Sequence, residues 1–304
     1  MSRVEQIINI VDNNLEKIIE NLNYVTLNED ITIDLSDYQS ARSHVMATLT
    51  AFIHNNRRNN QAKIELLYPN NINVHNYMAR MKFYEVNDIE VIYPYSQYPS
   101  DGRFIEITTF DNNTQDQVIN DITNCLSRLQ VSDNMQRALA FTFTELIDNV
   151  CSHAASNIGG IISAQNFPTF RELHLTIVDC GIGIPKSLNN KHSSCIGLDD
   201  DEILAQSVKR NVSSKLNDKD RGHMGMGLYK LNKIAQRSNG ELNIYSNYGI
   251  LNTKGGNTVT KKSKKKWPGT IVHVVLPYLT EDKWKEIFDY DMPLVPHLDP
   301  DDFF

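Results

Sequence analysis

The sequence predicts an α/β protein with two units in one chain, and three observations support this fold class. The chain has 304 residues, which corresponds to about two domains at the usual ~150 residues per domain. Strand-like and helix-like segments alternate from residue 31, as in a small α/β unit with a largely parallel sheet. A second series begins after a turn-rich boundary near residue 111. It predicts an α/β sandwich in which helices cover one face of a mixed sheet.

Composition narrows the classes of function. With 40% hydrophobic residues, the chain can bury a substantial core. No apolar run approaches the ~20 residues of a membrane span, and the charged start does not resemble a signal peptide, so we expect a cytoplasmic protein without membrane contact. The four cysteines lack the spacing of a zinc site, and we expect them to be reduced. A net charge of −7 argues against general nucleic-acid affinity.

The first part of the chain combines a helical pattern with a strand and helix series. Residues 3–24 carry apolar side chains at alternating steps of four and three, which predicts an amphipathic helix over residues 1–24. That helix either packs on its own chain or forms a dimer contact. A small α/β domain is predicted over residues 25–110. Its segments are strand 31–38, helix 41–56, strand 63–69, helix 73–84 and strands 89–95 and 104–110. This order, with DLSDY near the first crossover, resembles the STAS-type domain of anti-sigma-factor antagonists.

A helix near the middle of the chain carries an unusual set of polar groups. Its sequence TELIDNVCSHA, residues 144–154, forms one apolar and one polar arc at 100° per residue. The polar arc contains Glu145, Asp148, Asn149 and His153. Solvation is the ordinary explanation for such an arc, so a functional reading needs support from other motifs.

Glycine-bearing stretches after this helix provide that support. VDCGIGI, residues 178–184, lacks the third glycine of a dinucleotide-binding turn, and a G-x-x-x-x-G-K-[ST] loop does not occur in the sequence. RGHMGMGL precedes a predicted amphipathic helix over 227–238. It places three glycines there, Gly222, Gly225 and Gly227. Glycines permit close backbone approach and a helix N-terminus offers free N–H groups, so this stretch is suited to hold phosphate.

A last stretch, PGTIVHVVLPY, places Gly269 and Thr270 at the start of a predicted core strand. In this order, E-L-I-D-N, D-x-G-x-G-I, G-x-G-L followed by N-G, and G-T before a final strand resemble the GHKL (Bergerat) ATPase superfamily. That superfamily includes gyrase B subunits, MutL proteins, histidine kinases and anti-sigma-factor kinases. The motifs cover about residues 115–280, and ELIDNVCSH is most similar to the anti-sigma-factor kinase branch. The resemblance implies ATP and Mg²⁺ as cofactors of a domain expected over residues 111–280.

The resemblance also implies roles for the polar arc of the helix. Asn149 would bind Mg²⁺, which takes its other ligands from phosphates and water. Glu145, one turn earlier, would act as a general base beside the γ-phosphate. Asp148 would either orient these groups or be solvated. His153 would either neighbour these groups or, as we expect, be a capped or packed side chain.

The adenine site follows from the same resemblance. Asp179, at the end of a buried strand, would accept the exocyclic amine of adenine and so favour ATP over GTP. Gly181 and Gly183 would let the nucleotide approach the backbone, and Thr270 would complete the adenine contact through a water. The full predicted nucleotide-binding set is Asn149, Asp179, Gly181, Gly183, Ile184, Gly222, Gly225, Gly227, Leu228 and Thr270.

Three other segments are expected to contact ligand or partner. Residues 187–222 would form an ATP lid with a helical piece at 199–210, in which lysines and arginines such as Lys215 and Arg221 are more simply explained as solvated. The lysine-rich segment from Lys261 to Lys266 is predicted as a hairpin loop, either solvated or in contact with an acidic partner or nucleic acid. The acidic, aromatic tail 281–304 is suited to dock on a protein partner.

Three functions remain open from the sequence, and an enzyme is the expectation. The first is a slow Mg-dependent ATPase that acts as a nucleotide-controlled switch on a protein partner or on a second copy of the chain, as a homodimer. The second is a serine/threonine kinase of the anti-sigma-factor type, with Ser36, Ser40 and Ser43 as conceivable acceptors. The third is a non-catalytic scaffold stabilised by nucleotide, against which the intact Glu145 and Asn149 argue.

Overall fold

A computed structural model describes residues 5–22, 30–91, 100, 104–129, 131–189, 192–210, 212 and 226–288. The described elements in chain order are β1 (Glu5–Asn9), α1 (Leu15–Asn21), β2 (Asp30–Asp34), α2 (Ser43–Asn60), β3 (Ile64–Leu67), α3 (Ile72–Arg80), α4 (Phe83–Val86), β4 (Phe104–Phe110), α5 (Gln115–Ser127), α6 (Asp133–His153), β5 (Gly160–Phe167), β6 (Glu172–Asp179), α7 (Gly183–Asn189), α8 (Asp200–Ser207), α9 (Gly227–Ser238), β7 (Glu241–Lys254), β8 (Asn257–Pro277) and α10 (Glu281–Phe288). Most of the strand predicted at 89–95 lies outside these residues.

The first sheet has three parallel strands in the order β1-β2-β3. Helices α1 and α2 connect consecutive strands, as parallel pairing requires. Ile33 of β2 pairs with Ile8 on one side and Leu66 on the other. Ile8 and Ile33 share a core with Ile18 of α1 and Leu49 of α2. A small parallel α/β unit is therefore confirmed, while its similarity to STAS domains stays a prediction.

The amphipathic helix predicted over residues 1–24 is wrong in its first half. Residues Glu5–Asn9 form β1, and the helix begins only at Leu15, after the Asn14 side chain that caps it. Ile8 of β1 is buried in one core with Leu15, Ile18 and Leu22, which accounts for most of the apparent seam, whereas Val11 is exposed. Apolar residues spaced three and four positions apart over a short segment fit a helix, but they also fit a strand followed by a helix. The pairing of β1 with β2, which the local sequence does not show, decides between the two.

The second sheet has five strands in the order β4-β5-β6-β8-β7. The predicted α/β sandwich is confirmed, although the described strands pair antiparallel throughout and do not form the mixed sheet expected. Strand β4, which we assigned to the first domain, pairs with β5 and forms an edge of this second sheet. Its apolar sequence predicts a strand but not which sheet the strand joins, because that depends on long-range pairing.

Helices cover both faces of the five-stranded sheet, whereas the sequence predicted one covered face. On one face α5, α6 and α9 pack on the strands, and Ile177 of β6 points into their core. On the other face α2 packs on β5 and β6, and Val178 belongs to the core shared with the first unit. Most of strand β6 is buried on both sides for this reason, although its α2 side also carries His174 and Thr176. The two units therefore share a buried interface.

The lysine-rich segment is a strand and not the predicted loop. Strands β7 and β8 form a long hairpin that turns at Gly255 and Gly256. Lys261 lies opposite Ile250, and Lys262 lies opposite Gly249. Ile250 is fully buried, so pairing with the neighbouring strand β7 holds the lysines of β8 in the sheet. A strand rich in lysine lacks the apolar residues by which strands are recognised in a sequence, so this strand was not predicted.

Acidic groups of the same chain lie next to these lysines. The Nζ of Lys261 is 2.6 Å from Glu16 Oε2, and the Nζ of Lys264 is 3.2 Å from Glu20 Oε1, both on α1. The Nζ of Lys262 is 2.6 Å from Asp199 Oδ2. Each such surface pair stabilises the fold by about 1 kcal/mol or less. The lysines thus connect the hairpin to α1 and to the start of α8.

The predicted tail 281–304 begins as helix α10, of which residues 281–288 are described. Trp284 is buried in the core beside α6, and the Asn134 side-chain amide donates a hydrogen bond of 2.6 Å to Glu281 Oε1. The first part of the tail is therefore a packed helix. None of the helices described is both long and apolar enough to cross a bilayer. The four cysteines are free thiols.

Candidate functional site

Helix α6 supplies the polar arc singled out in the sequence. It begins after Ser132, whose hydroxyl accepts the Met135 N–H at 3.0 Å and so caps the helix. Phe143 and Ile147 of the apolar arc are fully buried against the sheet. On the opposite arc, Glu145 packs on α9, and Asn149 and His153 line a cavity, so these three groups are not simply solvated. Asp148 instead accepts a hydrogen bond of 2.9 Å from the Ser152 hydroxyl.

The cavity lies among α6, α7, α9 and the end of the sheet. Most of the described residues predicted to bind nucleotide line it, namely Asn149, Asp179, Gly183, Ile184, Gly227, Leu228 and Thr270. Gly181 and Glu145 do not line it. Gly222 and Gly225, with Lys215 and Arg221 of the predicted lid, lie outside the described residues. The chain thus brings together residues from four motifs that are up to 121 positions apart, from Asn149 to Thr270.

The cavity wall also contains residues outside the predicted nucleotide-binding set, four of them from the predicted lid 187–222. They are Leu146, Val150, His153, Ala154, Ile177, Ser187, Leu188, Ser207, Val212 and Val272. Most are apolar, as is usual for small-molecule sites. Leu146, Val150 and Ala154 recur every four residues at the border of the two arcs of α6, a spacing that could have identified them. His153 borders the cavity and is not merely packed in the core.

Asp179 is the last residue of β6 and is only 4% exposed. Its Oδ1 accepts the Gly181 N–H at 2.8 Å, and its backbone carbonyl accepts the Trp267 indole N–H at 3.1 Å. Burial raises the pKa of Asp179 to about 7, against the lowering effect of hydrogen bonds from Gly181 and Thr270. The carboxyl group can therefore occur in both protonation states near neutral pH, and its ionised form is a hydrogen-bond acceptor at the cavity wall.

Two glycines beside Asp179 are required by contacts within the protein. Gly269 has a φ of +85°, and a Cβ there would overlap the Asp179 carboxylate and the Gly181 nitrogen. A Cβ on Gly181 would overlap the carbonyl oxygen of Ala154 at the end of α6. Gly181 thus lets β6 turn closely past α6. This reason differs from the nucleotide approach that the resemblance implied for it.

Two polar residues of β7 complete this corner, and sequence analysis missed both. Ser246 donates a hydrogen bond of 2.8 Å to the Gly269 carbonyl and accepts the Ile184 N–H at 2.9 Å. The Asn247 amide donates to the Ile182 carbonyl at 3.1 Å. Together they hold the first turn of α7 against the sheet. The available signal was a Ser-Asn pair inside the apolar strand ELNIYSN.

Glu145 is buried in the contact between α6 and α9, where it is 1% exposed. A Cβ on Gly227 would lie 2.8 Å from the Glu145 Cβ, so glycine permits this close helix contact. Lys230, one turn further along α9, is also buried, and its Nζ lies 4.0 Å from the ring centroid of Phe141. Burial lowers the pKa of Lys230, and the charge of Glu145 opposes that shift.

Residues 134–279 match the family described as Histidine kinase-, DNA gyrase B-, and HSP90-like ATPase. The matched segment runs from the first turn of α6 to just beyond β8, and it contains every residue of the cavity wall. No curated protein matches the chain. The family match supports an ATP-binding GHKL domain in this segment. It gives no support to the anti-sigma-factor branch or to a STAS-like first unit.

Proposed function

We propose that the chain is a slow Mg-dependent ATPase that binds ATP in this cavity and acts as a nucleotide-controlled switch. The observation that carries this proposal is the buried carboxyl group of Asp179 in the cavity wall. Its ionised form accepts the exocyclic amine of adenine, whereas guanine presents an acceptor oxygen at that position. The apolar side chains of Ile177 and Val272 line the same wall and suit a purine ring.

The other groups of the cavity fit the phosphate end of the nucleotide. Asn149 offers one neutral oxygen ligand for Mg²⁺, whose remaining ligands would be phosphates and water. Gly227 and Leu228 form the N-terminus of α9, a helix of 12 residues, whose free N–H groups and positive dipole end favour an anion. When bound, the metal would neutralise phosphate charge. Glu145, one turn before Asn149 on the same arc, would accept a proton from the attacking water.

The proposal is tested with ATP labelled on the γ-phosphate. Released phosphate and labelled protein are measured together for the wild type, Glu145→Ala and Asn149→Ala. We expect Asn149→Ala to lose Mg-ATP affinity and Glu145→Ala to bind ATP but turn over roughly 10²–10⁴-fold more slowly. Asp133→Asn, an exposed carboxylate at the start of the same helix, is the matched control and should keep wild-type turnover. Wild-type turnover by Glu145→Ala would show that Glu145 is not the base.

A protein kinase is the second candidate, favoured by accessible hydroxyl groups in the loop between β2 and α2. Ser40 is exposed and Ser36 is half-buried there, whereas Ser43 at the start of α2 is buried. The same experiment separates the candidates. Label on Ser36 or Ser40 would establish a kinase, and free phosphate alone would establish an ATPase. Stabilisation by Mg-ADP without turnover would indicate a non-catalytic scaffold.

We also infer a setting for this activity. The ATP-dependent switch would act in the cytoplasm on a protein partner or a second copy of the chain. The lysines of β8 favour a nucleic-acid partner less than their sequence suggested, because Lys261, Lys262 and Lys264 already face carboxylates of the same chain. A pull-down with and without Mg-ATP, together with the mass of the protein in solution, tests both kinds of partner.

A further inference from the structure

Ser246 of β7 is a buried hydroxyl group behind the cavity wall. It is fully buried and does not itself line the cavity. Its Oγ lies 2.8 Å from the Gly269 carbonyl oxygen, 2.9 Å from the Ile184 nitrogen and 3.1 Å from Thr270 Oγ1. Ile184 and Thr270 line the cavity. Ser246 therefore contacts two residues of the wall from the interior of the protein.

The direction of the hydrogen bonds in this cluster follows from the groups available. A hydroxyl group has one hydrogen and two lone pairs. Ser246 donates its hydrogen to the Gly269 carbonyl and accepts the Ile184 N–H with one lone pair. Its second lone pair is left for the Thr270 hydroxyl. Since the hydrogen of Ser246 is already used, Thr270 is the donor in a hydrogen bond between the two hydroxyls.

The Thr270 hydroxyl has a second acceptor within reach, the carboxylate of Asp179. Both the backbone N–H and the hydroxyl of Thr270 are placed to donate to this carboxylate, and both lower its pKa. The single hydroxyl hydrogen of Thr270 forms a well-aligned bond with one acceptor at a time. When it points to Asp179, it competes there with an incoming donor such as an exocyclic amine. When it points to Ser246, that position on the carboxylate is free.

We propose that Ser246 is a specificity-determining positioning residue that accepts the Thr270 hydrogen when the exocyclic amine of adenine binds Asp179. This inference rests on the proposed binding of ATP in the cavity. Because Thr270 exchanges one acceptor for another, the amine binds without leaving the Thr270 hydroxyl unpaired. Without the Ser246 oxygen, the amine would have to displace the hydrogen bond from Thr270 to Asp179. That loss offsets part of the gain from the amine contact.

A purely structural role for Ser246 predicts a different result. Ser246 also holds the first turn of α7, as does the Asn247 amide, which donates to the Ile182 carbonyl at 3.1 Å. Loosening α7 should weaken the binding of every purine nucleotide by the same factor. The proposed role instead predicts a loss that depends on the 6-amino group of the purine.

The test compares two nucleotides that differ only in this amino group, ADP and purine riboside diphosphate. Neither has a γ-phosphate, so isothermal titration with Mg²⁺ measures affinity without turnover. The full chain is used as wild type, Ser246→Ala and Asn247→Ala. We expect Ser246→Ala to reduce the preference for ADP roughly three- to tenfold, the equivalent of one hydrogen bond. Asn247→Ala is the matched control for loosening of α7 and should leave the preference for ADP unchanged.

A second comparison asks whether Ser246 acts through Thr270. Thr270→Val removes the competing hydrogen and keeps the shape of the side chain. In this background, addition of Ser246→Ala should leave the preference for ADP unchanged. If Ser246→Ala folds too weakly for titration, Ser246→Cys replaces it, because a thiol is a weaker acceptor than a hydroxyl, and a smaller loss in the same direction is expected.

The titration of Asp179 gives a readout that needs no nucleotide. In Ser246→Ala, the Thr270 hydrogen has only the carboxylate as its acceptor, which favours the ionised form. The pKa of Asp179 should therefore fall below its wild-type value. Carbon NMR of protein labelled at the aspartate carboxyl groups measures this pKa, and Asp179→Asn identifies the signal.

The outcomes separate failure of this inference from failure of the proposed function. If Ser246→Ala keeps the wild-type preference for ADP, or if the pKa of Asp179 is unchanged, the inference is overturned while ATP binding stands. The same loss of preference in the Thr270→Val background would also overturn it. Equal affinities of the wild type for the two nucleotides would rule out the amine contact and the inference with it. No binding of either nucleotide by the wild type would refute the proposed function itself.

Discussion

The two faces of the five-stranded sheet both bury ionisable side chains, but they do so under different conditions. On the α6 face, Asp179 lines a cavity. On the α2 face, three histidines lie between helix and sheet, with ring centroids 4.3 Å apart for His44 and His273 and 6.2 Å apart for His174 and His273. Burial shifts pKa values on both faces. Access to a cavity, and not burial alone, separates a ligand site from a packed core.

The histidine face is stabilised by neutral rings with specific partners. His273 Nδ1 lies 3.0 Å from the Thr176 hydroxyl, and His44 Nε2 lies 3.0 Å from the Asn13 carbonyl. Burial lowers the pKa of His44 to about 4 and holds that of His273 well below its usual range. Burial also lowers the pKa of His174, although the neighbouring carboxylate of Glu172 opposes the shift. These rings join the first unit to the sheet, and none of them lines the cavity.

The largest effect on stability is expected from Gly269→Ala, which disrupts the backbone packing beside the cavity. A Cβ at this positive φ would overlap Asp179 and Gly181, so we expect a loss of roughly 3 kcal/mol or more in the free energy of unfolding. Gly255→Ala is the matched control, because its φ is +57° and nothing lies within 4 Å of its added Cβ. The control should lose about 1 kcal/mol from backbone strain alone. Urea denaturation measures both variants, and equal losses would contradict close packing around Gly269.

Acid should destabilise the packing of the histidine face. Because the folded-state pKa values of His44, His174 and His273 lie below the unfolded value near 6.5, the unfolded state binds more protons as the pH falls. The contribution to stability is complete above about pH 6.5 and is lost as the pH falls toward 4. We expect a loss on the order of 3 kcal/mol from His44 by about pH 4.

Urea denaturation across this pH range provides the measurement for the histidine face. His44→Met should flatten the dependence of unfolding free energy on pH, because it removes one titrating ring. His192→Gln, which changes a histidine outside this cluster, serves as the control for loss of a histidine. An identical slope for His44→Met and the wild type would mean that protonation of His44 is not responsible for the acid sensitivity.

Asp179 lines the cavity, unlike the buried histidines, so its protonation state should affect the affinity for ATP. With a pKa of about 7, its acceptor form becomes more populated as the pH rises, by about tenfold from pH 6 to pH 8. ATP affinity should rise by a similar factor. Isothermal titration with a non-hydrolysable ATP analogue gives the slope, and Asp179→Asn gives the baseline for titration of the phosphates themselves. Parallel slopes for the two proteins would remove Asp179 from adenine recognition.

The smallest effect is expected where β8 contacts α1. Lys261→Ala removes the ion pair with Glu16 and should lower the free energy of unfolding by about 1 kcal/mol or less, with the difference screened at high salt. Lys265→Ala, an exposed neighbour on the same strand, is the control. Thermal denaturation at low and high ionic strength measures both. A salt-independent loss above about 2 kcal/mol would show that packing of the lysine stem, and not its charge, is important.

Local patterns were sufficient for several elements. The predicted strand 104–110 is β4, and helix 227–238 is α9 with Asn239 as its left-handed cap. These segments carry their own signals, namely apolar periodicity and capping residues. The lysine-rich part of β8 and the early strand β1 were missed because their partners, β7 and β2, lie elsewhere in the chain. Strand register and pairing depend on such partners and not on local composition.

The sequence by itself determined the α/β class, the amphipathic helix α6 and the order of the motifs that place Asn149, Asp179 and Thr270 at one cavity. Only the tertiary structure decided that α2 covers the second face of the sheet and that Glu145 is buried against Gly227 of α9. The physical reason is range. Helix periodicity and capping act over one or two turns, whereas burial, cavity shape and strand pairing arise between segments that meet only in the folded chain.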